Sequence, residues 1–262
     1  INRVQYLQRA TPTGVGFLQP LRHDHHMTRF LFASVAVVLV ACSAEEAPAP
    51  VVPSEEATSP VVPTVEADDD GRPRVVVLGT SLTAGLGLAS EEDSYVAQIA
   101  ALADSAGTPI HAINAGVSGE TSAGGLRRLD WVLREPLDVL VLELGANDGL
   151  RGHDPLTLEA NLREIVERTR TRYPGTPVVI AGMQAPPNFG FMYTTRFAAV
   201  FPLVAEETSS ALVPFLLDSV AGIPELNQAD QIHPTVEGHG IMARNVWRVL
   251  SNIIDTLGAP GA

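Results

Sequence analysis

This sequence predicts an α/β architecture: a three-layer α/β/α sandwich built on a central five-stranded parallel sheet. Two observations carry that expectation. Across residues 72–262, short apolar runs alternate with amphipathic segments of helix length, and Gly, Pro and Asn clusters punctuate them. The runs themselves, such as Val75-Val76-Val77-Leu78 and Val139-Leu140-Val141-Leu142, show no polar alternation. Strands that read this way are buried on both faces, as in a parallel sheet covered by helices.

The elements follow in order. Residues 74–78 form the first strand and run into Gly79-Thr80-Ser81-Leu82-Thr83-Ala84-Gly85. A helix over 94–106 follows Glu91-Glu92-Asp93 and stops at Gly107-Thr108-Pro109. Residues 110–115 are the second strand, and a loop over 116–121 enters a helix through Trp131 and Leu133. Residues 138–144 are the third strand, ending in Gly145-Ala146-Asn147-Asp148-Gly149. The helix over 155–173 places Leu158, Leu162, Ile165, Val166 and Thr169 on one face, with Asp154 as its cap. A fourth strand spans 177–181, a helix runs through Phe197, Val200 and Val204, and a fifth strand spans 212–217. After Asp230-Gln231-Ile232-His233-Pro234 a last helix reaches about residue 254. Trp131 and Trp247 fall on apolar helix faces and are expected in the core. Right-handed crossovers make the whole a flavodoxin-like sandwich.

The segments ahead of this domain differ in character. Residues 1–26 have no clear period and read as an upstream or non-native segment, its histidines included. Residues 27–42 read as a secretory signal: Met27-Thr28-Arg29, an apolar run over 30–40, then Leu39-Val40-Ala41-Cys42. Those last four residues resemble the lipobox of bacterial lipoproteins, which would make Cys42 the lipid-bearing residue of an exported, membrane-tethered protein. A plain signal peptide or short anchor, with Cys42 incidental, is the competing reading. Residues 43–71 are rich in Pro and acids and read as an extended linker, reaching about 30 Å or more.

Composition narrows the chemistry. The 262 residues carry a net charge of −13, and all 17 basic residues are arginine. Without lysine there is no Schiff base and no P-loop lysine. The acidity is not confined to the tail, since residues 71–262 keep 13 arginines against 21 acids. Such a balance argues against a nucleic-acid partner, whose phosphates are met by basic contacts. One cysteine excludes an internal disulfide and a multi-cysteine metal site. No cofactor or metal is expected.

Parallel-sheet enzymes bind ligands at the carboxyl edge of the strands. Ser81, Gly119 and Asn147 follow the first three strands, and Asp230 and His233 lie in the last loop. A serine needs a base, which His233 can supply, and Asp230 three residues earlier can orient the imidazole. Attack on an ester carbonyl then needs donors for the oxyanion, and the Ser81 and Gly119 N–H groups with the Asn147 amide can serve. Asp148 and Arg151 are expected to fix the asparagine loop. His111, His153 and His239 have no acid at triad spacing and read as structural or surface residues.

Taken together, Gly79-Thr80-Ser81-Leu82, Gly119, Gly145-Ala146-Asn147-Asp148 and Asp230-Gln231-Ile232-His233-Pro234 resemble the four blocks of the SGNH (GDSL) hydrolase family. The likeness spans residues 73–256. It is nearest the bacterial arylesterase and multifunctional thioesterase/lysophospholipase branch, which Asn147-Asp148-Gly149-Leu150-Arg151-Gly152 also resembles. The resemblance implies Ser81, Asp230 and His233 as the catalytic triad and Ser81, Gly119 and Asn147 as the oxyanion hole. It implies hydrolysis of acyl or aryl esters, thioesters or lysophospholipids, with sugar deacetylation in other branches. One position departs: Thr80 stands where the family motif has aspartate.

Two rivals fit less well. An α/β-hydrolase needs Gly-x-Ser-x-Gly, and position 83 is Thr. A flavodoxin-like binding module leaves Asp230 and His233 unexplained. For the substrate, the apolar Phe189, Phe191, Met192 and Tyr193 are expected to line an acyl or aryl site. A short- to medium-chain acyl or aryl ester is therefore favoured over a sugar acetate.

Overall fold

The computed structural model describes residues 70–257. The expected segments over 1–26 and 27–42, the linker up to residue 69 and Cys42 lie outside the described residues. The strands are β1 (Arg74–Gly79), β2 (His111–Gly116), β3 (Val139–Glu143), β4 (Val178–Ala181) and β5 (Ala211–Val213). All pair in parallel, in the order β2-β1-β3-β4-β5. The fold is thus the expected five-stranded parallel sandwich.

Among the described residues, seven α-helices connect and cover the sheet: α1 (Ser81–Ala84), α2 (Tyr95–Ala106), α3 (Ser122–Val132), α4 (Ala146–Leu150), α5 (Pro155–Arg172), α6 (Phe191–Glu207) and α7 (Val236–Leu257). Strand order sets their layers. The step from β1 to β2 runs opposite to the later steps, so right-handed crossovers put α2 on one face and α3, α5 and α6 on the other. The long α7 returns to pack on α2, while α5 packs between α3 and α6. β3 is buried along its whole length, and Val75 to Leu78 of β1 are 0–4% exposed. Burying such side chains is worth about 1.5–3 kcal/mol each, which explains why both central strands read as unbroken apolar runs. Among the described residues no helix is long and apolar enough to cross a membrane.

Local chemistry sets the helix ends. Ser94 caps α2 by accepting from the Ala97 N–H, and Asp154 caps α5 through the Leu156 N–H, with Pro155 at its first position. Two expectations need correction. The fifth strand covers only Ala211–Val213, because Pro214 has no N–H to continue the ladder. Trp131 is 61% exposed rather than in the core. Leu129 and Val132 fill the inner face of α3 and rotate Trp131 outward. Trp247 packs against the core as expected.

Candidate active site

Register brings the first parts of the site together. Gly79, the last residue of β1, lies level with Gly116 of β2 and Glu143 of β3. The loops that leave these three strands therefore emerge side by side at the carboxyl edge. Ser81 starts α1 immediately after β1, so its N–H lies at a helix start, where no intrahelical acceptor exists. Gly119 has φ +77°, a left-handed conformation that other residues rarely adopt, and a Cβ there would lie 3.8 Å from Arg151 Nη2. Asn147 lies in the first turn of α4, after Gly145.

The last loop completes the group. His233 Nε2 is 3.0 Å from Ser81 Oγ, and His233 Nδ1 is 2.6 Å from Asp230 Oδ2. With Nδ1–H donating to the carboxylate, Nε2 is left bare as the acceptor for the serine proton. Asp230 Oδ1 accepts from the Ile232 and His233 amides, each at 3.0 Å. The imidazole contact above all, then these amides, hold the Asp230 carboxyl far below the usual carboxylate range. Gln228 straps the loop down. Its side chain donates to the carbonyls of Leu86 (2.8 Å) and Pro234 (2.9 Å), and its N–H donates to the His233 carbonyl at 2.7 Å.

The oxyanion-side donors are held by their neighbours. Asn147 Nδ2 gives one hydrogen to the Glu120 carbonyl at 2.9 Å, leaving the other free to donate. Arg151 Nη2 donates to the Gly119 carbonyl at 2.9 Å. Asp148 accepts from the Ser122 N–H (2.8 Å) and Ser122 hydroxyl (2.7 Å), tying α4 to the start of α3. Asp148 and Arg151 thus fix this loop as the sequence suggests. Among the described residues the other three histidines stand apart from the relay. His111 meets Asp70 at 2.8 Å near the amino end of β2, and His153 lies 3.7 Å from Asp148. His239 is buried, accepts from the Tyr95 N–H at 3.1 Å, and burial pulls it down to about 4.

Ser81, Gly119, Asn147 and His233 open onto a single cleft of about 560 Å³. Leu86, Leu150, Ala185, Pro186, Phe215 and Ile232 give it mainly apolar walls, with Gln184 and Gln231 among the polar ones. Phe189, Phe191, Met192 and Tyr193 are not part of this lining. Phe189 packs on Tyr193 at 5.2 Å between ring centroids, and the Tyr193 hydroxyl donates to the His153 carbonyl. Phe191 and Met192, at the start of α6, are 80% and 71% exposed. The wall is made instead by Ala185, Pro186 and Pro187, just ahead of this run, whose Phe189 and Tyr193 rings pack on each other.

One residue of the site was hidden in an apolar run. Glu143, at the end of β3, is 0% exposed. Its Oε2 accepts from the Thr80 N–H (2.8 Å), the Thr83 N–H (3.3 Å) and the Thr83 hydroxyl (2.7 Å). The Thr80 hydroxyl meets Oε1 at 3.1 Å. Burial pushes Glu143 up to about 7 against the pull of those donors. The only sequence signal is an acid ending a run of buried aliphatics, a place where charge is costly unless paired.

Residues 77–241 match the GDSL-like Lipase/Acylhydrolase family. Esterase TesA of Pseudomonas aeruginosa is 40% identical over 181 residues, covering 69% of this chain and 89% of that protein. An arylesterase of Vibrio mimicus is 34% identical over 178 residues, covering 68% and 88%. The crystal structure of TesA superposes with a TM-score of 0.65 at 39% identity, covering 69% of this chain and 99% of that one. That of AlinE4, an SGNH-hydrolase family esterase, gives 0.58 at 37% identity, covering 72% and 97%. With the serine, glycine, asparagine and histidine of all four blocks gathered at one cleft, the chain belongs to the GDSL-like lipase/acylhydrolase family, the SGNH hydrolases.

Proposed function

We propose that this carboxylic ester hydrolase works through an acyl-enzyme on Ser81. Ser81 Oγ attacks the ester carbonyl carbon while its proton passes to His233 Nε2. Asp230 holds the imidazole in the required tautomer and stabilises its charged form. The oxyanion is met by the Ser81 and Gly119 N–H groups and the free Asn147 hydrogen. The imidazolium then protonates the departing alcohol or phenol. Water, deprotonated by the same histidine, releases the acid and restores the serine.

The observation that carries this reading is the continuous relay from Ser81 Oγ through His233 to Asp230, at 3.0 and 2.6 Å. A mainly apolar cleft of about 560 Å³ suits short- to medium-chain acyl or aryl esters better than a polyhydroxylated sugar acetate. The relatives' names, esterase and arylesterase, point the same way. Ser81→Ala should lower p-nitrophenyl butyrate hydrolysis by at least about 10⁴-fold with the far-ultraviolet circular dichroism unchanged. Hydrolysis at the wild-type rate in that variant would overturn the mechanism.

We also infer export and a lipid tether at Cys42, supported by Leu39-Val40-Ala41-Cys42 after an apolar run and by the chain's one cysteine falling there. Full-length protein made in a bacterial host should incorporate labelled palmitate, and Cys42→Ser should not. Equal labelling of both proteins would refute the tether.

A further inference from the structure

We propose that Glu143 is a positioning residue for the nucleophile, acting through the two amides that flank Ser81, and that its ionised form does this work. This rests on the reading of Ser81 as the nucleophile.

The carboxylate is shaped into the turn. Four donors converge on it, from the backbone and hydroxyls of Thr80 and Thr83, one residue before and two after the serine. The turn leaves room for nothing else: a Cβ on Gly79 would lie 2.5 Å from Glu143 Oε2 and 1.9 Å from Thr83 Oγ1. Glycine at 79 is thus what lets the carboxylate enter. Tyr95 backs the arrangement, its hydroxyl 2.8 Å from Thr83 Oγ1. With Glu143 ionised, Tyr95 donates to Thr83, Thr83 donates to Glu143, and every group has a partner. A proton on Glu143 breaks that order. It must sit on Oε1 and point at Thr80 Oγ1, forcing the Thr80 hydroxyl hydrogen elsewhere.

Thr80 has a defined part in this. A carboxylate at position 80 would face Glu143 within hydrogen-bond reach, and two such acids share one proton. The hydroxyl leaves Glu143 as the single acid of the turn, free to ionise alone. The other titratable groups around it are few. Tyr95 of α2 reaches it through Thr83, and burial, then the charge of Glu143, pushes its phenol well up. Arg128 of α3 donates to the Gly79 carbonyl at 3.2 Å. His239 of α7 contacts the Tyr95 backbone, and His233 lies beyond Ser81. Burial places the ionisation of Glu143 near neutrality, where the hydrolase would feel it.

The test is Glu143→Gln, which keeps the shape and removes the charge. Hydrolysis of p-nitrophenyl butyrate should show kcat lowered on the order of 10- to 100-fold with KM little changed, since a small misplacement of the attacking atom costs that much. Phosphonylation of Ser81 by a p-nitrophenyl phosphonate should slow in parallel. The pH profile separates this from a general loss of structure. In the wild type the acid limb of log kcat/KM should be steeper than in E143Q, because Glu143 adds a protonation that the glutamine cannot take up. Wild-type kcat and an unchanged slope in E143Q would overturn the proposal. Should E143Q fail to fold, Thr80→Val removes the hydroxyl that meets Oε1 and Oε2 at 3.1 and 3.2 Å, together with its acceptance from the Leu82 N–H, while Thr80→Ser restores both; about a 3- to 10-fold loss of kcat in Thr80→Val that Thr80→Ser recovers is expected, and no loss would overturn the proposal. Activity surviving in Ser81→Ala would instead refute the catalytic reading. An inactive Ser81→Ala beside a fully active E143Q refutes this inference alone.

Discussion

Asp230 and Glu143 both bear on Ser81, the first through His233 and the second through the turn that carries the serine. Their surroundings are opposed. The Asp230 side chain is 45% exposed and receives its three hydrogen bonds in water's reach, so its carboxyl is held far below the ordinary range. Glu143 receives four donors with no exposure at all, and burial outweighs them. The count of hydrogen bonds therefore does not decide a carboxyl's charge; the loss of hydration does. In functional terms, Asp230 stays ionised across the working pH range while Glu143 changes charge within it.

Breaking the exposed side of this pair should have the larger effect. Asp230→Asn leaves the loop's amide contacts possible but presents the wrong partner to Nδ1–H, and kcat should fall on the order of 10⁴-fold. A loss under about tenfold by stopped-flow acylation would show that Asp230 does not orient the base. Stability sharpens the contrast on the buried side. The Glu143 carboxyl binds its proton more tightly in the folded state than at its ordinary 4.5, so the stability it contributes is complete below about 4.5 and is lost as pH rises through about 7. Asp230 has the reverse sign: its contribution is present above its ordinary 3.8 and is lost as pH falls. The thermal midpoint should therefore drop between about pH 5 and pH 8, and E143Q should flatten that drop by on the order of 5–10 °C. Parallel curves for both proteins would show that Glu143 does not titrate in this window.

Sequence alone revealed these two acids unequally, for a physical reason. Asp230 and His233 are three residues apart in one loop, so their partnership can be read from spacing. Ser81 follows an unmistakable buried strand, and the order of the four blocks supplies the rest. Glu143 acts across strands, and only the register that sets it level with Gly79 brings it to the turn. Trp131 failed for a related reason. Its helix was legible, but its angle on that helix depends on which face Leu129 and Val132 give to the sheet. The aromatic run at 189–193 was legible as apolar, whereas the cleft wall is made by Ala185 and Pro186 just before it. Gln228 gave no signal, because its three bonds all go to backbone carbonyls, two in its own loop and one at distant Leu86, and such bonds ask for no particular partner side chain.

The chain enters the sheet at Arg74 and reaches the serine turn only after the six residues of β1. At a rise of about 3.3 Å per residue, that separates entry from cleft by on the order of 15–20 Å. An attachment made just ahead of residue 70, to a bead or an electrode, would hold the domain by its far end. The mouth of the cleft would stay turned toward the solution, and even esters carried on bulky polymers would keep their line of approach.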